Sequence, residues 1–140
     1  MIRAAIAGLG WWGKHIIRRM NGSEELRIVT AVEANPALAD FAAEHGVAFT
    51  TKLSDVLNDP DIDAVILATP HSVHTEQVLA ATAARKHVFC EKPLALTRAD
   101  AERSVEACRA AGVVLGIGHE RRFEPAIGEM RRLVREGTLG

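Results

Sequence analysis

Short apolar runs alternate along the whole chain with segments whose apolar residues recur at helical spacing. The runs predict strands at residues 3–7, 27–32, 64–68, 87–90 and 113–117, with a shorter one at 48–50. Between them, the spacing predicts helices over 11–20, 36–44, 53–58, 74–85, 98–111 and 125–136. The stretch Ala64-Val65-Ile66-Leu67-Ala68 is apolar throughout, as a central strand covered on both faces should be. Regular strand–helix alternation of this kind predicts an α/β fold, a doubly wound and mostly parallel sheet with helices on both faces.

Local punctuation agrees with these elements. Asn35 precedes Pro36 in the order cap then first helical position. Thr97 is a helix cap, with Asp100 adding negative charge to the first turn that follows. Gly46, Gly112 and Gly137 stand where helices should end in a left-handed residue. The small residues Ala80-Ala81-Thr82-Ala83-Ala84 let a helix lie close on the sheet, although helix propensity explains them equally well.

At 140 residues the chain has one domain's worth of sequence, and 48% apolar with 25% charged residues excludes disorder. A net charge of -1 leaves no electrostatic footprint for nucleic acid or an anionic membrane, so neither is an expected partner. Arg131, Arg132 and Arg135 are interrupted by apolar residues at helical spacing and read as a solvated helix face. Cys90 and Cys108 form neither a metal-ligand pattern nor a disulfide scaffold, and reduced, buried thiols are expected. His15, His45, His87 and His119 have no ligand-like spacing, so no metal site is expected. The sequence enters its first strand without the apolar core of a signal peptide, and no run approaches the ~20 residues of a membrane span. A soluble, cytoplasmic protein is the expectation.

Three motifs carry the chemistry. Gly8-Leu9-Gly10-Trp11-Trp12-Gly13 joins the first strand to the first helix. There Gly8 permits a tight turn, Gly10 admits a pyrophosphate to the backbone and Gly13 lets the helix pack on the strand. The helix N-terminus adds unpaired N–H groups and a partial positive charge. Glycines serving only a strand-to-helix turn are the plainer alternative. Trp11 and Trp12 are expected to contribute mainly backbone N–H groups, their rings packing over the loop or facing a neighbour. Glu33 ends the second strand, where a carboxylate accepts hydrogen bonds from an adenosine ribose and repels a 2′-phosphate. No arginine follows in Ala34-Asn35-Pro36, so NAD is favoured over NADP. An exposed strand-end acid and a methyltransferase site remain open on these two features alone.

The other motifs are Ala68-Thr69-Pro70-His71-Ser72-Val73-His74 and Glu91-Lys92-Pro93, each after a predicted strand. A doubly wound sheet brings both beside the glycine loop at its carboxyl edge. With Gly118-His119-Glu120-Arg121-Arg122-Phe123-Glu124-Pro125 and the ending Arg135-Glu136-Gly137-Thr138-Leu139-Gly140, they resemble the N-terminal domain of the glucose–fructose oxidoreductase/inositol dehydrogenase (Gfo/Idh/MocA) family. The resemblance implies a Rossmann domain over residues 1–120 and a crossover segment and helix over 121–140. It implies that Thr69, Pro70 and His74 line the coenzyme, that Glu91 contacts the nicotinamide ribose, and that Lys92 sits catalytically between nicotinamide and substrate. A lysine there donates a hydrogen bond to a substrate oxygen; a solvent-facing loop lysine is the alternative. His74, at a helix start, is alternatively a local cap or core partner. His71 departs from the asparagine often found after this proline. Arg122 either reaches substrate or pairs with a nearby acid. Lys92-Pro93 is a candidate cis peptide.

The function implied is hydride transfer between NAD and a sugar or cyclitol hydroxyl, with homo-oligomers common in the family. The family's usual second domain, an open sheet supplying substrate contacts, does not fall within these 140 residues. Turnover by the isolated chain is therefore not expected. A stand-alone dinucleotide-binding module without turnover is the alternative, separated by whether oxidation activity appears once a downstream sheet domain is present.

Overall fold

A computed structural model describes residues 1–138; Leu139 and Gly140, the last positions of the family-like ending, lie outside the described residues. Six strands form one sheet: β1 (Ile2–Ala7), β2 (Leu26–Val32), β3 (Ala48–Thr50), β4 (Ala64–Leu67), β5 (His87–Cys90) and β6 (Leu115–Ile117). Their order is β3-β2-β1-β4-β5-β6, and every adjacent pair is parallel. The helices are α1 (Trp11–Met20), α2 (Ala39–Glu44), α3 (Leu53–Leu57), α4 (His74–Ala83), α5 (Arg98–Ala111) and α6 (Pro125–Arg135). The chain reverses direction across the sheet between β1 and β4, which makes the carboxyl edge there the ligand crevice of an open α/β sheet.

Side chains alternate between the faces of each strand and build two cores. Ala5, Ala7, Val65, Leu67, Val88 and Cys90 meet Val56 of α3, Val78 and Ala81 of α4, and Cys108 of α5. Ala4, Ile6, Ile28 and Ile66 meet Leu9, Ile17 of α1 and Ala42 of α2. The second face is covered less far. Phe89 and Ile117 on the β5–β6 side are exposed, and no residue of α6 is buried. Arg132 pairs with Glu129 and Glu136 on that helix, the solvated basic face that its sequence predicts.

The caps follow the sequence closely. Asn35 Oδ1 accepts the Ala37 N–H, and Thr97 Oγ1 accepts the Asp100 N–H. Three elements differ from expectation by more than one residue. The 36–44 helix opens as a single 3-10 turn over Pro36–Leu38, because the Asn35 bond to Ala37 holds a tight turn there. The 74–85 helix stops at Ala83, because Arg85 itself takes the left-handed conformation (φ 59°) that usually marks glycine. The 113–117 strand begins at Leu115, because Val113 donates back to Cys108 and completes the cap of α5.

Both cysteines are free and buried. Burial, with the Glu91 carboxylate beside it, pushes the Cys90 thiol up to about 12 from an ordinary 9.0. Above pH 9 the unfolded chain releases this proton while the folded chain keeps it. The Cys90 contribution therefore lowers stability as pH rises from about 9 towards 12, by up to ~1.4 kcal/mol per pH unit. Urea unfolding across that range should show a steeper alkaline decline for the wild type than for Cys90→Ala. Equal slopes would contradict the burial account.

Candidate functional site

The parallel register sets the site before any side chain does. Ala7 pairs with both Val32 and Leu67, and Leu67 pairs with Cys90. The carboxyl ends of β1, β2, β4 and β5 are therefore level, and the residues that follow them, Gly8, Glu33, Ala68 and Glu91, emerge along one edge.

The glycine loop is shaped by close approaches. Gly8 has φ +95°, and a Cβ there would lie 2.5 Å from the Ala68 carbonyl oxygen. A Cβ on Gly13 would collide with the Gly8 carbonyl. Gly10 is the opposite case, with nothing within 4 Å of its Cβ position. Two glycines thus close the turn against β4 and α1, while the third leaves its outer side clear. The first helical bond of α1 runs from the Lys14 N–H to Gly10 O, at 3.1 Å. The N–H groups of Trp11, Trp12 and Gly13 have no partner within the helix and face the carboxyl edge as donors.

Glu33 anchors this loop from β2. Its Oε2 accepts the Leu9 N–H at 2.8 Å and its Oε1 the Asn35 N–H at 3.1 Å. A carboxylate offers about four lone-pair sites, so two remain for a ligand. A cleft of about 710 Å³ lies over the loop, with Glu33, Ala34, Thr51 and Leu53 at one end and Thr69, Pro70, Val73 and Gln77 at the other.

A second cleft of about 390 Å³ shares Trp11, Trp12, Ala68 and Thr69 with the first and adds His71, Glu91, Lys92, Glu120 and Arg121. Lys92 is exposed here, and the Lys92-Pro93 bond is cis. Among the described residues, Lys92, Arg121 and Arg122 make no ion pair. Trp11, 77% exposed, and Trp12 stack on one another and on His15, with ring centroids 5.0–5.8 Å apart. Trp12 Nε1 is buried without a hydrogen-bond partner.

Gly8, Gly10, Trp11, Trp12, Glu33, Thr69, Pro70, Glu91 and Lys92 thus line the two joined clefts, and Gly13 lies beneath them. His74 is different. The resemblance implies that it lines the coenzyme, but it is 0% exposed and both ring nitrogens face backbone carbonyls. It is a core partner behind the wall, because the first turn of α4 aims it into the space between the two loops.

Sequence reasoning missed Thr51 and Leu53, supplied by the loop after β3. It also missed Gln77, whose Oε1 accepts the Thr69 hydroxyl at 2.5 Å. Gly118 backs the Glu91 side chain, for a Cβ there would fall 2.5–2.8 Å from the Glu91 carboxylate atoms. That carboxylate is the free end of a side chain. Gly118→Ala should leave the melting temperature nearly unchanged while turning Glu91 away and weakening dinucleotide binding ~fivefold. Calorimetry beside a thermal melt checks this, and unchanged affinity would sever Glu91 from the ligand. Among the described residues, no three His, Cys, Asp or Glu side chains gather as a metal site.

Residues 2–119 match the family described as "Oxidoreductase family, NAD-binding Rossmann fold" (GFO_IDH_MocA). The chain is 42% identical over 130 residues to 1,5-anhydro-D-fructose reductase of Ensifer adhaerens, covering 92% of this chain and 38% of that protein. It is 40% identical over 143 residues to 4-carboxy-2-hydroxymuconate-6-semialdehyde dehydrogenase of Sphingobium sp., covering 99% and 44%. Scyllo-inositol dehydrogenase from Lactobacillus casei, solved with NAD(H) and scyllo-inositol, superposes with a TM-score of 0.90 at 29% identity. That superposition covers 100% of this chain and 42% of the other. The chain spans about two fifths of the length of these proteins.

Proposed function

Because the chain belongs to the Gfo/Idh/MocA oxidoreductase family and carries its NAD-binding Rossmann fold, we propose that it is the coenzyme-binding half of a dehydrogenase acting on a sugar or cyclitol hydroxyl. The observation that supports this most is the pairing of a clear Gly10 with a Gly8 and Gly13 pressed against backbone, below three unpaired helical N–H groups. That combination fits a pyrophosphate, and the Glu33 carboxylate at the far end of the larger cleft fits an adenosine ribose. The nicotinamide end then lies in the smaller cleft beside Thr69, Glu91 and Lys92.

Bound NAD supplies a hydride acceptor, or its reduced form a donor. The chain's own residues orient the reactants. Glu91 holds the nicotinamide ribose, and Lys92 offers its ammonium to the substrate oxygen, stabilising the negative charge that grows there. Arg122 contributes a second cation on the substrate side of Lys92. The 121–140 segment serves as the crossover towards further substrate contacts, which the relatives' additional length would supply. No helix among the described residues is long and apolar enough to cross a membrane, and the coenzyme reading fits a cytoplasmic protein.

Calorimetric titration tests the reading. The chain should bind one NAD per molecule and prefer it to NADP; heat flat to millimolar NAD would contradict it. Glu33→Gln keeps an oxygen for the Leu9 N–H while removing the charge. It should narrow the NAD-over-NADP preference about tenfold, ~1.4 kcal/mol. An unchanged preference would remove Glu33 from the ribose.

A further inference from the structure

We propose that His74 is a positioning residue that clamps together the two loops forming the nicotinamide side of the site; this rests on the coenzyme reading above. His74 Nδ1 lies 2.8 Å from the Pro93 carbonyl oxygen and Nε2 lies 3.0 Å from the Thr69 carbonyl oxygen. Thr69 belongs to the loop after β4 and Pro93 to the loop after β5. One imidazole therefore bridges the segment that carries Lys92 and the segment that walls the opposite side of the cleft.

Leu94 packs the second loop against the first core, but few hydrogen bonds hold it. Apart from the Lys92 N–H contact with the adjacent Glu91 carboxylate, the hydrogen bond joining residues 92–96 to the rest of the described chain is the one at Pro93. The first loop is tied twice to α4, through His74 to the Thr69 carbonyl and through Gln77 to the Thr69 hydroxyl. Because α4 is seated in the core by Val78 and Ala81, both 0% exposed, the clamp refers each loop to a rigid element. Both partners are carbonyl oxygens, which only accept, so a neutral imidazole donates to one of them and the ring carrying both N–H protons donates to the two. His74 touches no ligand and acts through the placement of Thr69 and Lys92.

The test compares NAD with AMP, which occupies only the adenosine end, in the wild type, His74→Leu and His74→Gln. The wild type should bind both nucleotides. His74→Leu is expected to weaken NAD about tenfold and leave AMP within about twofold. His74→Gln, which keeps one amide donor, should recover part of the NAD loss with AMP again unchanged. A merely structural role moves the two nucleotides together. Equal weakening of NAD and AMP, or wild-type NAD affinity in folded His74→Leu, would overturn the clamp. Should His74→Leu fail to fold, His74→Gln decides in the same terms: a loss confined to NAD supports the clamp, and no loss or a shared loss overturns it. A wild-type chain that binds neither nucleotide overturns the coenzyme reading itself, an outcome visible before any variant is made.

Discussion

Gly13→Ala should lower the melting temperature by roughly 10 °C, the largest stability effect expected of a single methyl group in this chain. The added Cβ would be driven into the Gly8 carbonyl oxygen, which is backbone and has nowhere to go. Gly8 is itself committed, with φ +95° and the Ala68 carbonyl 2.5 Å from its own Cβ position. To relieve the clash, α1 must lift from β1 and give up contacts of Leu9 and Ile17, which are 1% and 3% exposed. Overpacking of a built core typically costs about 1–3 kcal/mol, and a backbone obstacle belongs at the upper end. Thermal unfolding followed by circular dichroism reads this directly. A melting temperature within ~2 °C of wild type would mean that the loop is slack, and its use as a rigid cradle would lose its basis.

Gly10→Ala should do the reverse, leaving the fold intact and weakening NAD at least tenfold, ~1.4 kcal/mol or more. Its backbone, at φ -63° and ψ -173°, suits any residue, and nothing lies within 4 Å of the new methyl group. Loss of unfolded-state freedom even favours alanine by ~0.4–1 kcal/mol. The protein's own contacts therefore give no reason for glycine here. On the proposed reading, a pyrophosphate lying on the N–H groups of α1 needs that room. Unchanged NAD affinity with unchanged stability would show that the phosphates pass elsewhere. The opposite behaviour expected of two glycines three residues apart separates a ligand-binding loop from a tight turn.

Much of this architecture is legible in local sequence because local interactions decide it. The glycine spacing, the Asn35 and Thr97 caps, the left-handed Gly46 and Gly112, and the apolar 64–68 run each report a backbone or burial constraint that neighbours in sequence impose. The helix end at Arg85 escapes such reading because a non-glycine residue takes the left-handed position there. Site residues that depend on distant partners escape it too. Gly118 matters only because the register of β5 and β6 sets it against Glu91, and Gln77 only because α4 carries it back to Thr69. The family resemblance implies that His74 lines the coenzyme, whereas the structure buries it behind the wall of the cleft. A histidine on a ligand wall and one behind it share the same sequence position, and only the two carbonyls at its ring nitrogens separate them.

The most direct measurement is an amide chemical-shift map of the isotope-labelled chain as NAD is added. Signals of Gly10, Ala34, Thr69 and Lys92, which lie on four different loops, should shift together and saturate at one NAD per chain. Shifts confined to a single loop, or absent from all four at saturating NAD, would contradict a shared coenzyme cradle.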